Sequence, residues 1–261
     1  MTVQPALFLS HGSPTLPLDD VPARDFLRGL GGKLERPDAI VAVSAHWETD
    51  VPTLNAVAQN ETIHDFYGFP PALYALEYPA PGAPDLAETV ADLIGEAGLR
   101  ARIDTVRGLD HGAWVPLMLM WPGHDIPVLQ LSIQSRLGPG HHVQLGRAIA
   151  ALRERNILVM ASGSFTHNLR ALTRQGPVGG EPEWVTRFAD WMHAAIAEGR
   201  TCDLVSYRNM APFARENHPT DEHLLPLYVA IGAAGAGPLR AERLHTSTTL
   251  GALRMDAYAF H

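Results

Sequence analysis

Four short runs constrain the fold of this chain more than anything else in its sequence: ALFLS at 6–10, AIVAVSA at 39–45, IPVLQLS at 126–132 and ILVMAS at 157–162. Each is rich in Val, Ile and Leu and almost continuously apolar, with none of the in-and-out alternation of a strand that has one wet face. Strands of that kind are buried on both faces, which requires helices above and below a parallel or mixed sheet. Helical patterns separate and follow the runs, at 83–98 (APDLAETVADLIGEAG), 143–155 (VQLGRAIAALRER), 181–198 (EPEWVTRFADWMHAAIAE) and 220–234 (TDEHLLPLYVAIGAA). Pro226 is expected to kink the last of these or delay its regular start. The tail HTSTTLGALRMDAYAF reads as a pair of late strands. With 261 residues, 46% of them hydrophobic, the chain can bury one full core. The expectation is a single-domain α/β protein over 1–261, with a mixed, mostly parallel central sheet flanked by helices.

A histidine stands at or just after the end of three of these runs: His11 in FLSHGSP, His46 in AIVAVSAHW and His167 in ILVMASGSFTH. Open α/β sheets bind ligands beyond the carboxyl ends of their strands, so these rings can meet at one sheet edge if the strand order allows it. Taken singly, each has an ordinary reading. His11 suits a turn, bonding a backbone carbonyl, and His46 suits a core ring satisfied by one hydrogen bond. His167 follows Gly163 and Ser164, a tight-turn pair, with Thr166 placed to cap a short helix. ENHPTDEHLLPLY at 216–228 adds His218, Glu222 and His223; with Thr220 as N-cap, His223 falls on the first helical turn, and spacing alone admits either Glu222 or His223 as a ligand. GLDHGAW places His111 in a loop before the apolar helix WVPLMLMW. TIHDFYGFP gathers His64, Asp65, Phe66 and Tyr67 in an aromatic loop able to wall a planar substrate. The remaining histidines are expected to face solvent or to be satisfied locally.

Thirteen histidines against one cysteine mean that any metal is held by imidazole and carboxylate, which suits catalytic iron, zinc or manganese rather than a structural thiolate site. The lone Cys202 reads as an inert, partly buried residue near a helix end. A net charge of −8 with no basic cluster argues against nucleic acid as a partner. No apolar stretch approaches bilayer length, and MTVQPALFLSHGSP lacks the charged start of a signal peptide, so the expected location is cytoplasmic, away from membranes. The expected assembly is a monomer or a small homo-oligomer. A nucleophile elbow and glycine-rich phosphate loops are both missing from the sequence.

Taken in order, HGSP at 11–14, SAHW at 44–47, TIHDFYGFP at 62–70, YPAPG at 78–82, DHGAW at 110–114, THNL at 166–169 and HPTDEHLLPL at 218–227 resemble the class III extradiol ring-cleaving dioxygenases. The branch they resemble is the DOPA 4,5-dioxygenase-like proteins of the protocatechuate 4,5-dioxygenase catalytic-subunit superfamily. That resemblance implies an oxidoreductase with a mononuclear non-haem centre, Fe(II) for activity and Zn(II) in some relatives, that opens a catechol with O2. It implies His11, His46 and His223 as metal ligands, with Glu222 the competing third position. It implies His167 as a fourth ligand in a resting or zinc-bound site or as the acid–base residue, and His111 as a group bonding substrate or oxygen. The aromatic loop supplies His64, Phe66 and Tyr67 as substrate-binding candidates. An octahedral metal that takes both catecholate oxygens and O2 spares only three positions, so His167 is expected to stand off the metal in turnover and carry protons. Two rival readings are a zinc hydrolase built on the same histidines and a metal- or catechol-binding protein without turnover.

Overall fold

The structure, a computed structural model, describes residues 3–173 and 180–261. Its core strands are β1 (Ala6–Ser10), β2 (Ala39–Glu48), β5 (Val128–Ile133) and β6 (Ile157–Gly163). β3 (Thr53–Asn55) and β4 (Arg102–Asp104) extend one edge, and β7 (Ala241–His245) and β10 (Ala257–Phe260) the other, giving the order β4-β3-β5-β2-β6-β1-β10-β7. The centre is parallel: β2 pairs β5 and β6, and β1 pairs β6. β10 runs antiparallel to β1 and to β7. β8 (Thr248–Thr249) and β9 (Leu253–Arg254) form a separate small hairpin, so the tail from His245 holds three strands, β8, β9 and β10, after the last residue of β7, where two were expected.

The continuous apolar runs divide between two cores by parity. Phe8, Val41, Val43, Leu131, Val159 and Ala161 face one core, which is covered by α3 (Pro84–Glu96), α5 (Gly138–Ala148), α6 (Glu183–Ala197) and α10 (Leu225–Ala233). Leu7, Leu9, Ile40, Ala42, Leu158 and Met160 face the other, under α1 (Pro22–Leu30) and α4 (His111–Met120). Short helices complete the chain: α2 (Pro71–Tyr74), α7 (Thr201–Val205), α8 (Tyr207–Met210) and α9 (Ala214–Asn217). The architecture is a single three-layer α/β domain, and among the described residues no helix is long and apolar enough to cross a membrane.

Several boundaries differ from the sequence expectations. The helix expected at 143–155 begins at Gly138, because Pro139 in its first turn tolerates the missing N–H, and beyond Ala148 the chain tightens to a 3-10 turn at 150–155. The helix expected from 220 begins at Leu225, with Pro226 in its first turn, so of the two outcomes expected of that proline the delayed start is the one found. Thr220 does not cap it; its hydroxyl donates to Glu222 Oε1 (3.1 Å). Thr166 donates to the Ala252 carbonyl instead of capping, and Asn168 caps the 3-10 turn at Leu169–Ala171. Cys202 is exposed rather than partly buried.

α5 and α10 cross with their backbones almost touching. A Cβ on Gly146 would lie 2.1 Å from the Val229 carbonyl oxygen, and one on Gly232 would lie 2.1 Å from that of Val143. Gly232→Ala is therefore expected to lower unfolding free energy by about 1–3 kcal/mol, measured as a lower urea midpoint with unchanged slope. An unchanged midpoint would mean that the helices can separate at no cost.

Candidate active site

β2, β6 and β1 are neighbours, and their registers align Ser10 with Gly163 and Ser44 with Ser162. The carboxyl ends of β1 and β6 therefore finish level with Ser44 of β2, and His11, His46 and the turn leading to His167 share that edge. His46 lies inside β2 rather than past its end: pairing with β5 shifts register between Val43 and Glu48, so the strand continues to Glu48. His11 keeps the parity of Leu7 and Leu9, and His46 lies against His111 in the first turn of α4, 3.9 Å between ring centroids, so both belong to the α4 face. His111 is the first residue of α4 rather than a loop residue, and Asp110 caps that helix through the Ala113 N–H (3.3 Å).

His223 reaches the same place from the other side. Its carbonyl accepts the Ser164 N–H at 2.8 Å, and a Cβ on Gly163 would lie 2.1 Å from that oxygen, so only glycine lets the 221–224 turn press against the end of β6. His46 Nε2 lies 3.1 Å from His11 Nε2 and 3.2 Å from His223 Nε2, and the ligand atoms of the three all fall within 4.8 Å of one another. His11 and His223 are buried and His46 is half-buried.

Outer partners decide which face of two of these rings carries a proton. Ser162 Oγ donates to the Gly112 carbonyl, so it accepts from His11 Nδ1 at 2.9 Å. Glu222 Oε1 accepts from His223 Nδ1 at 2.9 Å. Both Nε2 atoms consequently present lone pairs to the centre, which is the arrangement second partners impose on metal-ligating histidines. Lone pairs facing one another at this range repel unless a cation lies among them. Ligand nitrogens about 2.0–2.1 Å from a metal stand about 2.9 Å apart when cis octahedral and about 3.3 Å when tetrahedral, and the observed 3.1 and 3.2 Å fall between. The donor set fits a divalent cation. Burial, followed by the neighbouring histidines, holds His11 well below the ordinary imidazole value, and burial does the same for His223. Burial and then His111 lower His46 to about 4. All three are thus neutral and able to ligate at neutral pH.

Glu222, the competing third ligand, sits on the Nδ1 side of His223, away from His11 and His46. His167 stacks on His223 with ring centroids 3.4 Å apart and 12° between planes; its Nδ1 lies 3.9 Å from Glu222 Oε1, and burial lowers it to about 4. His111 closes the opposite side, 3.9 Å from His46 between ring centroids. Phe66 packs edge-on against His111 at 5.8 Å. His64 is turned away, donating Nε2–H to the Leu76 carbonyl (3.0 Å), and Tyr67 is 92% exposed.

Two supporting residues, Ser162 and Ser44, escaped the sequence reading. Ser162 orients His11. Ser44 Oγ donates to buried Asp110 Oδ1 at 2.6 Å, and Asp110 also pairs with Arg107 at 3.1 Å. Ser44 and Ser162 share strand parity with the two ligand histidines, and a small polar residue breaking an apolar run was the available signal.

Residues 5–255 match the protein family described as the catalytic LigB subunit of aromatic ring-opening dioxygenase. With the α/β fold and the histidine cluster at its sheet edge, that match defines the class: an enzyme, an aromatic ring-opening dioxygenase of the extradiol kind, dependent on a metal. The chain belongs to this family. It is 42% identical, over 99% of its length and 97% of the relative's, to a protein of Beta vulgaris named 4,5-DOPA dioxygenase extradiol. A protein of Escherichia coli K12 with the same name is 42% identical over 89% of this chain and 86% of its own. A crystal structure of an uncharacterized Escherichia coli K12 protein superposes with TM-score 0.82 at 34% identity, covering 99% of this chain and all of the other.

Proposed function

We propose that the chain, as one catalytic domain over 1–261, opens a DOPA-like or related catechol next to its two hydroxyls with O2, using Fe(II) held by His11, His46 and His223. The observation that carries this reading is the meeting of three Nε2 atoms from distant segments at 3.1 and 3.2 Å. When bound, the metal supplies a centre on which diol and dioxygen meet and through which ring electrons reach oxygen. Zn(II) would satisfy the same nitrogens, including a resting site closed by His167, without that redox chemistry.

The chain's own residues bind, orient and handle protons. His167, stacked outside the three facing rings, takes the proton of one catechol hydroxyl and later returns a proton to the opening product; burial keeps it neutral, as a base must begin. Glu222, 3.9 Å from its Nδ1, stabilises the imidazolium formed in between. His111 bonds a substrate oxygen, and Phe66 beside it supplies an apolar wall for the ring. His64 shapes that wall from behind, and Tyr67 at the loop tip meets the substrate only as it enters. We place the reaction in the cytoplasm, with free Cys202 fitting a reducing compartment, and in a monomer or small homo-oligomer.

Anaerobic loading with Fe(II), then oxygen uptake across a panel of catechols, tests the reading. Uptake that requires both catechol and iron, with a yellow ring-opened product, is expected. Hydrolysis of an ester panel by the zinc form with no oxygen consumed would replace it with the hydrolase reading.

A further inference from the structure

The aromatic loop carries one group that the reaction scheme leaves without a role. Asp65 Oδ1 accepts the backbone N–H of His111 at 2.9 Å and the ring Nδ1–H of the same residue at 2.9 Å. Its other oxygen, Oδ2, faces His46 Nδ1 at 3.6 Å, beyond a hydrogen bond but close enough to favour a proton there. One carboxylate therefore addresses two rings that lie 3.9 Å apart, one beside the proposed metal and one beside the proposed substrate. Its neighbour Phe66 lies edge-on to His111, so the segment that walls the substrate is also the segment that holds these rings.

We infer that Asp65 is a positioning residue that fixes the tautomers of both histidines, making His111 Nε2 a hydrogen-bond acceptor toward the substrate and His46 Nε2 a lone pair toward the cation. This rests on the dioxygenase reading for what His111 meets, but not for the tautomers themselves. His111 Nε2 then accepts a hydrogen bond from a substrate hydroxyl and orients it, the proton itself leaving through His167, while Asp65 holds the His111 ring in that tautomer. An aspartate behind a catalytic histidine does the same in serine proteases, where the asparagine variant keeps the geometry and loses on the order of 10⁴ in kcat through the wrong tautomer. Here the two oxygens have separate duties, and that makes the proposal divisible. Asp65→Asn can keep an oxygen on His111, but it turns an NH2 donor toward His46 Nδ1 and so favours the tautomer that cannot ligate. Asp65→Ala removes both influences.

The test uses the full-length chain, 15N-labelled, metal-free and zinc-loaded, with imidazole nitrogen shifts reporting the tautomers. Wild type is expected to show His111 protonated at Nδ1. Asp65→Asn should keep that signal yet bind zinc about 10- to 100-fold more weakly against a competing chelator. Asp65→Ala should show mixed His111 tautomers and, iron-loaded, lose kcat about 10- to 100-fold with KM moved less than about threefold. Equal thermal midpoints for the three proteins would set these changes apart from a folding defect. A wild-type His111 protonated at Nε2, or an Asp65→Ala protein with wild-type tautomers and kcat, would overturn the inference. Absence of oxygen uptake by wild type would sink the dioxygenase reading and leave the tautomer and chelator measurements standing.

Discussion

His223→Ala is expected to purify folded and to bind Fe(II) more than about 100-fold more weakly than wild type in a chelator competition, a loss beyond that of an outer hydrogen-bond partner. His223 supplies one of three nitrogens that face one another, and of the three it alone is neither within nor directly after a central strand. Its departure leaves His11 and His46 as a two-nitrogen pair, and Glu222, now free of His223 Nδ1, has to cross the space of the lost ring to replace it. The replacement also relieves crowding, because His167 loses the ring it stacks on. Folding should survive, since the segment is held by the His223 carbonyl bond to Ser164 and by Pro226 in the first turn of α10, both backbone features. Chelator affinity equal to wild type would transfer the ligand role to Glu222.

His167→Ala divides the roles. It is expected to keep iron within a few-fold of wild type and to lose kcat by about 10²- to 10⁴-fold, the range for removing a positioned acid–base group. Its ring lies outside the group formed by His11, His46 and His223 and has a carboxylate partner of its own in Glu222. Single-turnover measurement at matched iron content separates rate from occupancy. Metal loss as large as that of His223→Ala would make His167 a ligand in the working enzyme and defeat the division.

The pH dependence of stability has a definite sign. His142 is buried with both nitrogens used, Nε2 accepting the Gln134 N–H (3.1 Å) and Nδ1 donating to the Gly138 carbonyl (2.7 Å); burial lowers it to about 4. Burial lowers His218 to about 4 as well. The unfolded chain takes up protons near the ordinary imidazole value of about 6.5 while these folded rings refuse them. Stability is thus fully present above that value and falls as pH drops toward 4, by on the order of 3 kcal/mol for each ring. Urea midpoints of the metal-free protein between pH 7 and pH 4.5 should decline steadily; a flat series would mean that these rings protonate without unfolding.

Much of this was legible in the sequence. The run ALFLS maps onto β1 without an error, because an uninterrupted apolar segment buried on both faces has no other place to go. The three strand-end histidines were visible as ionisable groups where chains leave a core. Strand order was not visible, since it depends on which runs pair across the whole chain, and only β2-β6-β1 adjacency turns three separate histidines into one edge. Pro226 delays the regular start of α10 to Leu225, one of the two outcomes its position allowed, whereas Thr220, a plausible cap by sequence, caps nothing. The orienting roles of Asp65 and Ser162 were unread, although Asp65 stood out within its aromatic loop, because an orienting hydrogen bond leaves no periodic trace; only the folded distances assign it.

Counting the imidazoles around bound iron tests the central claim most directly. X-ray absorption of the Fe(II)-loaded protein under argon, with a catechol present, should fit one iron per chain, three imidazole nitrogens and two added catecholate oxygens. Iron bound through fewer than three imidazoles, or with no catecholate oxygens, would contradict a centre built from His11, His46 and His223.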